Sequence, residues 1–99
     1  MPIMVFSTPR DGMDAEYNEW YENIHISDML DIPGVLSCTR HRRINPTDPD
    51  DLEYLAVYDV DGDPLAVLKE IGARSADGRL RLNPSVDPQR LRMTVWQPL

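Results

Sequence analysis

Glu16–Val35 reads EYNEWYENIHISDMLDIPGV, and its periodicity orders everything around it. Met13, Tyr17, Trp20, Tyr21, Ile24 and Asp28 recur at spacings of three and four, the stripe of an amphipathic helix, while Glu16, Glu19, Glu22 and Asn23 lie away from its centre. His25 stands at the edge of that stripe. Beyond it the apolar set changes phase to Ile26, Met29, Leu30 and Ile32, which predicts a bend or a restart with Ser27 as the new cap. Pro33-Gly34 stops the helix.

Working outward, Ile3–Thr8 is a short β-branched and apolar run closed by Pro9, Asp11 and Gly12, which fits a first strand. Asp11 or Asp14 then caps the helix, and acidic residues at Asp14 and Glu16 suit the positive end of its dipole. On the other side, Val35–Ile44 reads as a second strand with Leu36, Cys38, Arg40 and Arg42 on one face and Val35, Ser37, Thr39 and His41 on the other. The turn-rich Asn45-Pro46-Thr47-Asp48-Pro49-Asp50-Asp51 joins it to a third strand, Leu52–Val60.

Asp63-Pro64 is a helix start, because Asp accepts free backbone N–H groups and Pro at the first helical position loses no bond. Leu65, Leu68 and Ile71 are expected on its buried side, with Gly72 ending it. Residues 75–90 are broken by Asp77-Gly78, Asn83-Pro84 and Asp87-Pro88, leaving Arg79–Leu82 as a short strand or turn in a long connection of the kind that forms lids and binding loops. Arg90–Gln97 is the fourth strand, with Leu91, Met93 and Val95 facing away from Thr94 and Trp96. The order is β-α-β-β-α-β: an α+β, ferredoxin-like domain over residues 1–99 with two helices on one face of a four-stranded antiparallel sheet.

Ninety-nine residues make one small domain that buries about two-thirds of its unfolded surface. Strands one, three and four carry apolar residues on both faces, so the sheet needs a second cover, and another copy of the chain is the simplest one. A net charge of -7, with a single lysine, argues against nucleic acid and anionic membrane as partners. One cysteine, Cys38, allows no intrachain disulfide; together with a start lacking a basic signal region and no run of membrane-spanning length, it points to the cytoplasm.

Several residues can carry chemistry. His25 has a side chain that titrates near pH ~6.5 and can act as a general base, with Tyr21 and Asp28 one turn away to orient it; the alternative is a histidine packed at a helix edge. Phe6, Trp20, Tyr58 and Trp96 either line a cavity for a flat apolar molecule or pack an ordinary core, and the Tyr58 hydroxyl can polarise a carbonyl. Arg40, in Arg40-His41-Arg42-Arg43, can hold a substrate carboxylate or answer the acidic first helix. Cys38 is a nucleophile only if its thiolate is stabilised, and otherwise a small core filler. No phosphate-binding glycine loop, C-x-x-C or H-E-x-x-H is present, and neither a metal nor an organic cofactor is expected.

Trp20-Tyr21, His25-Ile26, Pro33-Gly34-Val35, the arginines from Arg40 to Arg43 and Tyr54-Leu55-Ala56-Val57-Tyr58 together resemble the dimeric α/β-barrel superfamily and, within it, the EthD-like proteins. The resemblance spans about the first two-thirds of the chain. It implies a homodimer of face-to-face sheets, each with a pocket between sheet and helices, and a first-helix histidine, here His25, turned toward that pocket. The superfamily includes cofactor-free monooxygenases, isomerases, polyketide cyclases, haem-handling enzymes and sensing domains. Ser27 stands where the family usually has a proline after His-Ile, and a straight helix would turn His25 toward solvent. The functional expectation is a cofactor-free enzyme acting on an apolar or aromatic carbonyl metabolite, with His25 as base; the alternative is a non-catalytic small-molecule-binding or accessory protein.

Overall fold

A computed structural model of the chain describes residues 1–45 and 47–99. Pro46, counted in the polar turn above, lies outside the described residues. Strand β1 (Pro2–Ser7) is central and pairs antiparallel with β3 (Tyr54–Val60) on one side and β4 (Leu91–Val95) on the other; β2 (Val35–Arg42) adds outside β3. The sheet order β2-β3-β1-β4 and the helices between strands make the ferredoxin-like α+β arrangement that the periodicity predicts. The first strand is offset by one residue from the expected Ile3–Thr8, and the other three are shorter than the sequence suggests. The second stops at Arg42 before a fully exposed Ile44, the third starts at Tyr54 rather than Leu52, and the fourth covers only Leu91–Val95.

Register decides which side chains share a face. Ile3 is paired with Tyr58 and Val95, and Val5 with Ala56 and Met93, so these residues point together to one side. Ile3, Val5, Ala56, Tyr58 and Val60 are buried there beneath the helices. Their alternates Met4, Phe6, Leu55 and Val57 stand on the opposite face, half-buried, with no helix over them.

The first helical layer comprises α1 (Asp14–Trp20), a π-helical turn (Tyr21–His25) and α2 (Ile26–Leu30). This replaces the expected restart capped by Ser27: the backbone stays helical throughout, and no side chain caps α2. The π turn accounts for the shift of phase. At about 100° per residue an uninterrupted α-helix would set Met29 about 80° round from Tyr21; the wider turn, closed by i→i+5 bonds, returns both to the buried side. Neither Asp11 nor Asp14 caps α1, because the cap position falls at Met13: Asp14 is already the first helical residue and Asp11 stands two residues before the cap. Asp14 accepts from the Tyr54 hydroxyl at 3.0 Å and Asp11 from Arg90 at 3.3 Å.

Gly34 makes the exit turn with φ of +95°, and a Cβ there would lie 3.0 Å from the Asp61 carbonyl oxygen. Helix α3 (Pro64–Asp77) begins as the sequence predicts, with Asp63 Oδ1 accepting from the Leu65 amide at 2.9 Å. It does not stop at Gly72. It continues to Gly78, whose φ of +85° supplies the left-handed end, and its buried stripe is Pro64, Val67 and Arg74 flanked by Leu68 and Ile71. Leu65, expected inside, is 65% exposed. Arg74 holds the extra turn: it donates to Glu70 at 2.8 Å and to Asp31 at 3.0 Å, and its carbonyl accepts from the Leu80 amide.

The segment after α3 has more anchorage than its composition suggests. Leu80 is buried, Arg10 donates to the carbonyls of Pro84 and Ser85, and a short 3₁₀ turn at Pro88–Arg90 is capped by Asp87. Arg79–Leu82 pairs with no strand.

Candidate functional site

A cavity of about 140 Å³ lies between the first helical layer, the covered face of the sheet, and the segment after α3. Tyr17, Trp20, Tyr21, His25 and Met29 form one wall, Val5, Tyr58, Leu91 and Met93 the floor, and Ile71, Ser75, Leu80, Leu82 and Val86 the other wall. None of these side chains carries a full charge at neutral pH. A site of this kind selects against carboxylates, phosphates and ammonium groups, since an ion placed there would lose its hydration without a partner.

The π turn places His25 on that wall. In an α-helix, residues five apart lie about 140° from one another. The i→i+5 turn brings Trp20 and His25 into a stack with ring centroids 4.5 Å apart, while Tyr21 meets the imidazole edge-on at 4.8 Å. Nδ1 of His25 is buried and has no hydrogen-bond partner among the described residues. Burial holds the imidazole's pKa down at about 4, with Arg40 adding to the effect and the nearby Asp28 opposing it. The ring is therefore neutral at pH 7.

Beside it the Tyr21 and Tyr58 hydroxyls are 2.8 Å apart, and burial pushes both phenols above their ordinary range. When one phenol donates to the other, the accepting oxygen keeps a hydrogen to give. Tyr17 is fixed separately by a hydrogen bond to Ser7. Arg40 lies with its guanidinium carbon 4.3 Å from the Tyr21 ring centroid and donates to Asn18 at 2.7 Å and Glu22 at 3.0 Å. That placement ties β2 to the first helix and backs the aromatic wall.

The residues singled out in the sequence thus separate. His25, Tyr21, Tyr58 and Trp20 come together around the cavity. Asp28 is near His25 but does not hydrogen-bond to it: both carboxylate oxygens are taken by Arg81, at 2.7 to 3.1 Å. Cys38 and Arg40 share the helix-covered face but line no part of the cavity, and burial raises the Cys38 thiol pKa, which keeps it protonated. Phe6 and Trp96 are on the wrong side for this site, Phe6 on the open sheet face and Trp96 just beyond β4, 52% exposed. Alternation along a strand fixes which residues are together, but not which face the helices take.

Sequence reasoning missed Val5, Tyr17, Met29, Ile71, Ser75, Leu80, Leu82, Val86, Leu91 and Met93 in the lining, and Arg81 beside it. A signal existed for Leu80, Leu82 and Val86, the only strongly apolar residues in an otherwise polar 75–90 segment. Among the described residues no group of three or more His, Cys, Asp or Glu side chains is placed to hold a metal, and no helix is long and apolar enough to cross a membrane.

The crystal structure of an EthD family protein from Bacillus halodurans has the same fold, with a TM-score of 0.63 over 99% of this chain and 96% of that one, at 16% sequence identity. No protein-family model matches the chain, and no curated protein matches it. The likeness at that identity is one of fold.

Proposed function

We propose that residues 1–99 form one domain that works as a homodimer, and that its cavity takes a compact neutral carbonyl compound from which His25 removes a proton. The observation that carries this reading is the buried, unpartnered Nδ1 of His25, a residue of the largely apolar cavity lining, beside the Tyr21–Tyr58 hydroxyl pair. An unpaired buried nitrogen costs about 1–3 kcal/mol, which a ligand hydrogen bond restores. An apolar cavity of about 150 Å³ takes up benzene. The 140 Å³ here suits one six-membered ring or a small lactone and is too small for a fused polyketide.

In this reading the neutral imidazole takes a proton from the carbon next to the carbonyl. The Tyr21–Tyr58 pair donates to the carbonyl oxygen as it gains negative charge. Return of the proton to a different carbon completes an isomerisation, and attack of the enolate carbon on a second carbonyl, with the alkoxide so formed taking the proton back from the His25 imidazolium, completes a cyclisation. The test uses cyclohexanone in D2O. Wild-type protein should speed deuterium exchange of the α-hydrogens, read by proton NMR, and His25→Ala should abolish the acceleration while leaving the fold intact. A His25→Ala protein exchanging at the wild-type rate removes the base.

A second reading, a non-catalytic binding protein, is favoured by one observation: a pKa of about 4 makes His25 a weak base. It expects cyclohexanone to be retained with no exchange. The homodimer is supported by the open sheet face, where Met4, Phe6, Leu55 and Val57 are left half-buried among the described residues. Sedimentation across a dilution series tests it, and a monomer throughout rejects it.

A further inference from the structure

One wall of the cavity is a strap, residues 78–86, held to α3 by the Leu80 amide on the Arg74 carbonyl at 3.0 Å and to the first helical layer through Arg81. Its amide and Nε donate to Asp28 Oδ2 at 3.1 and 3.0 Å, its Nη2 donates to Oδ1 at 2.7 Å, and its carbonyl accepts from Trp20 Nε1 at 3.2 Å. The Asp28 side chain is only 10% exposed, so the carboxylate depends on this partner. Beyond Arg81 the next ties among the described residues are at Pro84 and Ser85, through Arg10. Leu80 fills the cavity from the fastened part, Leu82 beyond it is 72% exposed at the rim, and Gly78 supplies the left-handed joint where the strap leaves α3.

We propose that the strap is the gate of the cavity and that the Arg81–Asp28 pair is its latch. The inference rests on the cavity being a ligand site and adds how a ligand reaches it. With the latch shut, Leu80 and Leu82 close the side of the chamber; with it released, the Leu80 amide parts from the Arg74 carbonyl, residues 79–82 swing about Gly78 and the chamber opens between Trp20 and the strap. Release has a second consequence. Asp28 is one helical turn from His25, so a carboxylate freed from Arg81 faces the imidazole that takes the proton. Arg81 and Asp28 are positioning residues in this account, acting through Leu80 and His25.

The experiment follows cyclohexanone binding by NMR line shape at the Met29 and Leu80 methyl groups, alongside amide hydrogen exchange of residues 79–82. Arg81→Gln and Asp28→Asn should each raise association and dissociation rates about tenfold while the dissociation constant changes less than about twofold. The double variant should be no faster than either alone, because both break the same side-chain fork and leave the Trp20 bond to the residue 81 carbonyl in place. Arg81→Lys should lie between, since a lysine cannot reproduce the forked bond. Amide exchange at Arg81 should quicken in the same variants. Unchanged amide exchange in Arg81→Gln overturns the latch whether or not a ligand binds. A weakened dissociation constant with an unchanged association rate overturns the gate and leaves a simple wall. Wild-type protein that takes up no cyclohexanone sinks the cavity reading itself, and the gate with it.

Discussion

The two faces of the sheet are built from alternate residues of the same strands, yet they end in opposite conditions. On the helix-covered side Ile3, Val5, Ala56, Tyr58 and Val60 are buried, and a cavity lies beside His25. On the other side Met4, Phe6, Leu55 and Val57 are no more polar, but they stay only half-buried among the described residues. The difference teaches that apolar character alone does not locate a binding site. Each face has hydrophobic surplus; what separates them is enclosure and the presence of a polar group with no partner.

The sharpest measure of that contrast is Ile3→Ala. Ile3 is fully buried on the covered side, and truncating it should cost about 2–5 kcal/mol in urea unfolding. A loss under about 1 kcal/mol would mean the covered face is loosely packed. Val57→Asp probes the other face. A carboxylate set into the proposed interface should weaken self-association by at least about 100-fold, roughly 2.7 kcal/mol, while the protomer stays folded. Sedimentation showing the wild-type mass at equal concentration would place the interface elsewhere.

How much of this contrast was legible beforehand depends on the range of the forces involved. Strand alternation and the Asp63-Pro64 start are local, and the sequence carried them in neighbouring residues. The break of phase at His25 was legible as a break, but a π turn is held by tertiary packing of Trp20, Tyr21 and Met29, which periodicity does not report. Gly72 looked like a helix end because nothing nearby announces that Arg74 will be buried between Glu70 and Asp31, the latter 43 residues away. Likewise the strap read as loop because its anchors, Asp28 and Arg10, are 53 and 74 residues distant from the groups they hold. His25 and Tyr58 were readable as candidates, whereas Arg81 could be recognised only in three dimensions.

Acid should distinguish the faces further, through His25. Its pKa in the fold is about 4 against an ordinary value of 6.5, so between those values the unfolded chain binds a proton that the folded one refuses. Stability from this group is present above about pH 6.5 and is lost as the pH falls toward 4. After allowance for partial exposure the loss is on the order of 2 kcal/mol. Urea midpoints at pH 7 and pH 4.5 should converge for His25→Gln more than for wild type, because glutamine has nothing to titrate. An equal drop in both proteins would assign the acid sensitivity to other groups.

The smallest expected effect is Met4→Ala, and it tests the comparison most directly because Met4 is the immediate neighbour of Ile3 on the same strand. In a Val57→Asp background, where the open face stays uncovered, removing a half-buried methionine should cost about 1 kcal/mol or less. In the wild-type background, well above the concentration at which the dimer forms, the same truncation also removes interface area and should cost more. The difference between the two backgrounds, obtained from a double-mutant cycle, measures coverage of this face by a second copy. If Met4→Ala costs the same in both, the face is wet in the working protein, and its apolar residues are there for the pleat of the sheet and not for a partner.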